Sequence, residues 1–152
     1  LQLIDVRDAA RFVVGCLERG VAGPVNVGGV TGSVTFGSLL AGCRRATGSA
    51  ARLVWADDQF LSSHGVREWT ELPLWRPAPG TWAADVTRAR SLGLDYRPLA
   101  VTVRDTWAWL RSGGQVAAHW RTAEHGIALE KERRLISEWR ARQRGRPEST
   151  GM

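Results

Sequence analysis

Leu1-Gln2-Leu3-Ile4-Asp5-Val6-Arg7-Asp8-Ala9-Ala10 is the stretch on which the fold assignment turns. Leu1 to Val6 is apolar and extended in character, which predicts a strand. Asp8 then stands where a helix N-cap is needed, ahead of an amphipathic run over about 9–19. Ala10, Val13, Val14 and Leu17 recur at helical spacing and form its apolar stripe. Gly20 and Gly23-Pro24 stop that helix. The junction lacks an initiator Met and reads as the middle of an α/β protein.

The same grammar continues outward. Val25-Asn26-Val27 predicts a short strand that ends at Gly28-Gly29. Thr35 caps a helix near 36–46, with Phe36, Leu39, Leu40 and Cys43 on one side and Gly48 as its stop. Arg52 to Ala56 predicts a third strand, and Asp57 or Asp58 caps a short helix reaching His64. Residues 66–82 are irregular, rich in Trp and Pro. Asp85 caps a short helix to Leu92, and Gly93 ends it. Pro98 opens a helix over 99–111 that stops before Gly113-Gly114. Residues 115–125 form a linker, and a last helix covers 127–142 with Leu129, Leu135, Ile136 and Trp139 on one side. Residues 143–152 form a polar, disordered tail.

Composition narrows the class. The chain has 152 residues, 43% of them hydrophobic, which suits one modest globular core. No apolar run approaches the ~18 residues needed to span a membrane, and no signal peptide is present, so the default location is the cytoplasm. Cys16 and Cys43 lie on apolar helical faces and read as buried free thiols. The net charge is +6, split evenly: residues 1–118 and 119–152 each carry +3. Nucleic-acid binding calls for a denser basic stripe. The one local cluster, Lys131 to Arg146, interleaves Arg with Glu and apolar residues, and predicts the i,i+4 pairs Glu130–Arg134 and Glu138–Arg142.

Gly28-Gly29-Val30-Thr31-Gly32 imitates a dinucleotide fingerprint, followed later by Asp57. Ser33, Val34 and Thr35 intervene before the helix, however, which would hold its N-terminus away from a pyrophosphate. The segment therefore reads as a structural turn whose glycines relieve positive φ angles. His64, His119 and His125 fit no metal spacing. No Gly-x-Ser-x-Gly elbow and no phosphate-binding Lys loop occurs.

Five segments in order resemble the C-terminal half of extended short-chain dehydrogenase/reductases, the NAD-dependent epimerase/dehydratase family, and its isoflavone-reductase-like bacterial members. They are Ile4 to Ala10, Pro24 to Gly29, Thr35 to Leu40, Asp85 to Leu94 and Val103 to Trp109. The resemblance covers about residues 1–111. It implies an α/β fold: the substrate-binding C-terminal part of a Rossmann-like enzyme, with helices dominating and a few short strands. Residues 1–114 would be that lobe, 115–142 a linker and helical extension, and 143–152 the tail.

The implied activity is NAD- or NADP-dependent chemistry at a hydroxyl or carbonyl carbon of a small-molecule substrate. The family's catalytic Tyr-x-x-x-Lys pair has no counterpart. The single Tyr, Tyr96, and the single Lys, Lys131, lie 35 positions apart. The chain is thus expected to hold no catalytic, cofactor-binding or metal-binding residue, to bind no cofactor alone, and to be inactive without an N-terminal cofactor-binding half.

Arg76 resembles a diphosphate-binding arginine of nucleotide-sugar epimerases. A second such arginine of that family would fall near Leu1 and has no counterpart here. Trp69, Trp75 and Trp82 flank Arg76 and are expected to line the pocket beside it. Trp107 and Trp109 are expected to pack. Asp5, Arg7 and Asp8 are expected to form a network at the junction. A lone half would expose the apolar faces of the first strand and helix, so the chain is expected to dimerise, aggregate or stay partly molten. The alternative is a stand-alone interaction module whose basic last helix meets nucleic acid or an acidic partner.

Overall fold

The first helix begins three residues earlier than its sequence suggests, and the reason lies in two aspartates. In the computed structural model, which describes residues 1–117 and 122–145, α1 spans Val6–Glu18. Asp5, in extended conformation, is its N-cap and accepts the Arg7 backbone N–H at 2.9 Å. Asp8, the expected cap, is instead inside the first turn and points at a distant arginine.

The remaining helices follow local signals closely. α2 spans Phe36–Thr47, and Thr35 and Ser38 close a reciprocal capping box at its start. Gly48 ends it at φ +66°. α3 spans Asp58–Ser63, and the choice between two caps falls on Asp57, whose carboxylate accepts the Phe60 N–H at 2.6 Å. α4 is the short helix Thr87–Ser91; the Asp85 carboxylate accepts the Thr87 N–H just ahead of it. α5 spans Leu99–Arg111 directly after Pro98. A 3-10 turn covers Thr122–Glu124, and α6 spans Leu129–Arg144. Gln143 and Arg144, placed in the tail by sequence, are therefore helical. The linker's residues 118–121, His119 among them, and the tail from residue 146 lie outside the described residues.

Helices dominate, as the sequence indicated. The three expected strands do not form. Residues 1–5, 25–27 and 52–56 belong to no ladder, and a single isolated bridge, Glu68 with Leu72, occurs among the described residues. A strand exists only through its neighbour's hydrogen bonds, and these apolar segments lie beside no sheet.

The chain divides into two compact units. The first comprises Leu1–Ala51 and Ala78–Val116; the second comprises Arg52–Pro77 and the chain from Ala117. In the first unit α2 packs on α5, where buried Gly42 lets the helix approach Val103. Its core gathers Phe12, Ala89 and Leu94, with Ile4, Cys16, Val25, Leu92 and Tyr96 around them. Gln2 stitches this unit: its amide N–H groups reach the Gly29 and Ala84 carbonyls, and its oxygen accepts the Ala84 N–H. The core of the second unit consists of Phe60, Val66, Trp75 and Leu135, flanked by Leu61, Leu72 and Trp139.

Gly29 shows why glycine is needed after the second extended segment. A Cβ there would collide with the backbone of Gln2 and Leu3. Gly32 alone in this turn has a positive φ, +77°. The expectation that φ explains all three glycines is thus corrected: Gly29 serves a close backbone approach.

Both cysteines are free thiols, and both are half-buried. No described helix is long and apolar enough to cross a membrane.

Candidate functional site

The first unit is organised around two buried carboxylates. Asp5 caps α1 and also receives the Arg7 side chain, with Nε at 2.9 Å and Nη2 at 2.8 Å. The Thr102 hydroxyl of α5 donates to its second oxygen at 2.8 Å. Asp8 accepts three bonds from Arg97: the backbone N–H at 2.9 Å, Nε at 3.0 Å and Nη2 at 2.7 Å. Arg7 extends the network to Asp105 of α5 at 2.8 Å. The expected junction network of Asp5, Arg7 and Asp8 is present, and Arg97, Thr102 and Asp105 complete it.

Its electrostatics follow from these bonds. The Arg7 side chain holds the Asp5 carboxyl far below the usual carboxylate range, against the opposing effect of burial. Arg97 lowers the pKa of Asp8, and Arg7 with Arg104 that of Asp105. All three carboxylates are therefore ionised at neutral pH and bound to cations, which leaves none as a general acid or base.

Beside this network is a cavity of about 230 Å³. Leu3, Ile4, Val30, Val34 and Leu99 give it an apolar wall, and Tyr96 and Thr102 a polar one. It is smaller than the ~300–1,000 Å³ of sites that enclose drug-sized ligands, so it suits a small apolar group rather than a dinucleotide.

Tyr96 does not have the environment of a catalytic phenol. Its hydroxyl donates to the Gly28 carbonyl at 3.0 Å, and burial raises its pKa. A proton-exchanging tyrosine needs the opposite shift. Lys131 is also committed: its ammonium donates to Glu71 and to the Gly65 carbonyl, each at 2.7 Å.

The expected substrate residues divide between the units. Arg76, Trp69 and Trp75 belong to the second, and Trp82 to the first. The Arg76 guanidinium lies 4.7 Å from the Trp69 ring centroid and donates to Glu68 at 3.2 Å. Arg76 Nε is buried with no partner. Among the described residues Trp69 and Leu74 are the non-glycine residues with positive φ, +62° and +69°, so the backbone leading to Arg76 is strained at two points. An oxyanion taking the guanidinium in a bidentate clamp would have to displace Glu68 from Nη1. Trp75 is buried in the core, and its indole N–H donates to Asp58 at 2.8 Å. Trp107 is half-buried on α5. Trp109 is about half exposed, with Gly114 against its indole.

One arrangement had no sequence signal. Ser63 Oγ lies 3.1 Å from His64 Nδ1, and His64 Nε2 lies 3.0 Å from the Glu138 carboxylate. It imitates a nucleophile, base and orienting acid. The Phe60 carbonyl breaks the analogy: it accepts the Ser63 hydroxyl at 2.9 Å and lies 2.7 Å from the same His64 nitrogen. The cluster joins α3 to α6. Glu138 also pairs with Arg134 at 3.9 Å. Arg142, the expected partner of Glu138, instead lies over the Trp139 ring. Among the described residues no group of His, Cys, Asp and Glu could hold a metal ion.

No protein-family model, curated protein or solved structure matches this chain.

Proposed function

We propose that the chain is the substrate-binding portion of an NAD(P)-dependent oxidoreductase or epimerase acting on a hydroxyl or carbonyl carbon. The nicotinamide loop and the proton-exchanging Tyr-x-x-x-Lys pair then come from a Rossmann-like cofactor half in another segment or chain. Within these 152 residues Tyr96 and Lys131 are both engaged elsewhere. Arg76 on its Trp69 platform is the candidate contact for an anionic substrate group, whereas Trp75 packs the core of the second unit.

One observation carries this reading. The five segments that resemble the epimerase/dehydratase family all fall in the first unit, and four of them are bonded or packed directly against one another. Asn26 of the second segment donates to the Asp85 carbonyl of the fourth at 2.9 Å. The third and fifth segments lie on α2 and α5, which pack together. Tyr96 and Arg97, just beyond the fourth segment, bind Gly28 of the second and Asp8 of the first. An order of motifs met by chance would not be expected to coincide with the joints of one compact unit.

The test is the coding sequence upstream of Leu1. A Gly-rich strand–turn–helix and a Tyr-x-x-x-Lys there are expected. The longer protein should bind NADH or NADPH saturably, and residues 1–152 alone should not. Saturable binding by residues 1–152, or a native start codon at Leu1, would overturn the proposal.

A further inference from the structure

α1 leaves its apolar face outside. Its buried side holds Asp8 and Phe12, while Val6, Val13, Val14 and Leu17 are 77%, 48%, 54% and 77% exposed. Ala10 is exposed between them. At 100° per residue these five side chains form one stripe along three turns. The stripe continues into a hollow lined by Val6, Ile4, Thr102 and Trp109. The buried apolar residues of the first unit are only Phe12, Val86, Ala89 and Leu94, so an exposed stripe of five apolar side chains is large beside its core.

The charges beside the stripe distinguish between occupants. Arg11 and Glu18 are exposed, seven positions and two turns apart, on the same flank. When two copies of one helix pack antiparallel, a flank meets the same flank of its partner in reverse order. Layering Ala10 on Leu17 and Val13 on Val14 of the second copy brings each Arg11 to within two positions of the other copy's Glu18. In a parallel pair the two like flanks lie on opposite sides of the seam, so Arg11 and Glu18 would face the partner's Ala9 and Cys16 flank and find no partner charge. Arg7, the remaining cation on that side, is tied to Asp5 and Asp105. The stripe and its charges are therefore complementary to themselves in one orientation.

We infer that α1 is a homodimer surface, with a second copy of this chain packed antiparallel across Ala10, Val13, Val14 and Leu17 and clamped by two reciprocal Arg11–Glu18 pairs. The inference concerns residues 1–152 by themselves; in the longer protein of the proposed function, the cofactor half would compete with the second copy for this face. One helix face per copy is below the ~800 Å² per partner of a standard interface, so the dimer is weak, with Kd about 0.1 mM.

Sedimentation equilibrium of the 152-residue chain, from about 10 μM to about 1 mM, tests it. A reversible dimer is expected. Glu18→Arg and Arg11→Glu should each weaken it about tenfold, and the double exchange should restore it to within about threefold. Val14→Asp, at an exposed position, should abolish it with helix content unchanged. Should Arg11→Glu lose helix content beside Asp8, Arg11→Ala and Glu18→Ala in a double-mutant cycle read the same coupling. A monomer throughout the range overturns the inference, as does a dimer indifferent to Val14→Asp, or a double exchange that folds but does not restore association. None of these outcomes bears on whether the longer protein binds NADH or NADPH.

Discussion

Asp8 and Arg97 stand 89 positions apart and meet through three hydrogen bonds, two from the guanidinium and one from the Arg97 backbone. The carboxylate is almost fully buried, and the guanidinium is less than one-fifth exposed. This pair joins α1 to the entry of α5, where Pro98 fixes the helix start. Removing one partner leaves the other only a longer ion pair, Asp8 with Arg11 or Arg97 with Asp5, each at 3.5 Å. Asp8→Ala or Arg97→Ala should therefore cost about 3 kcal/mol in urea unfolding. The double variant should cost less than the sum of the two. Strict additivity would show that the pair contributes nothing as a pair.

The same carboxylates give the chain an acid limit. Arg7 lowers the pKa of Asp5, Arg97 that of Asp8, and Lys131 that of Glu71, each relative to its ordinary value. A depressed folded-state pKa contributes stability that is complete above the unfolded value of about 4. It is lost as pH falls through that value toward the folded ones. Melting temperature should be flat with respect to these groups above about pH 5.5 and decline steadily below about pH 4.5. Asp8→Asn should make the decline shallower. An unchanged slope in that variant would mean that Asp8 keeps its ordinary pKa in the fold.

How much of this was legible depends on the range over which each feature is determined. α2 and α5 were readable because Thr35, Gly48 and Pro98 act on their own neighbours. The start of α1 was misread because Asp5 and Asp8 are both good caps. Only the arginine at position 97 decides that Asp8 has another partner. The strands at 1–6, 25–27 and 52–56 failed for a similar reason: β-propensity describes a side chain that fits a sheet and cannot supply the sheet. In the candidate site, Arg76 and Trp69 are near in sequence and do meet. The Glu71–Lys131 and His64–Glu138 pairs join distant segments with no local signal.

Trp69 and Trp75 looked equivalent in the sequence, and their surroundings now separate them. Trp75 is buried, with its indole N–H on the Asp58 carboxylate; Trp69 is 42% exposed. Trp75→Phe should cost about 2 kcal/mol, because it empties ring volume in the core and loses the indole bond to Asp58. Trp69→Phe should cost under about 1 kcal/mol, since a phenyl ring retains most of the stacking on Arg76. Equal losses in thermal melts would contradict the separation of a core tryptophan from a surface platform.

Adjacent glycines make the sharpest contrast. A Cβ on Gly28 would have Val86 no closer than 3.9 Å, an ordinary contact. A Cβ on Gly29 would overlap the Leu3 backbone, which cannot withdraw without pulling Ile4 from the core and Asp5 from its cap. Gly28→Ala should therefore change stability by less than about 0.5 kcal/mol, whereas Gly29→Ala should cost about 3 kcal/mol or leave the first unit unfolded. A dinucleotide loop predicts something else: both substitutions would impair nucleotide binding, because backbone at each glycine would have to approach pyrophosphate. Paired melts of the two variants distinguish these cases. Equal tolerance at both positions would show that the extended segment at residues 1–4 does not pack on Gly29.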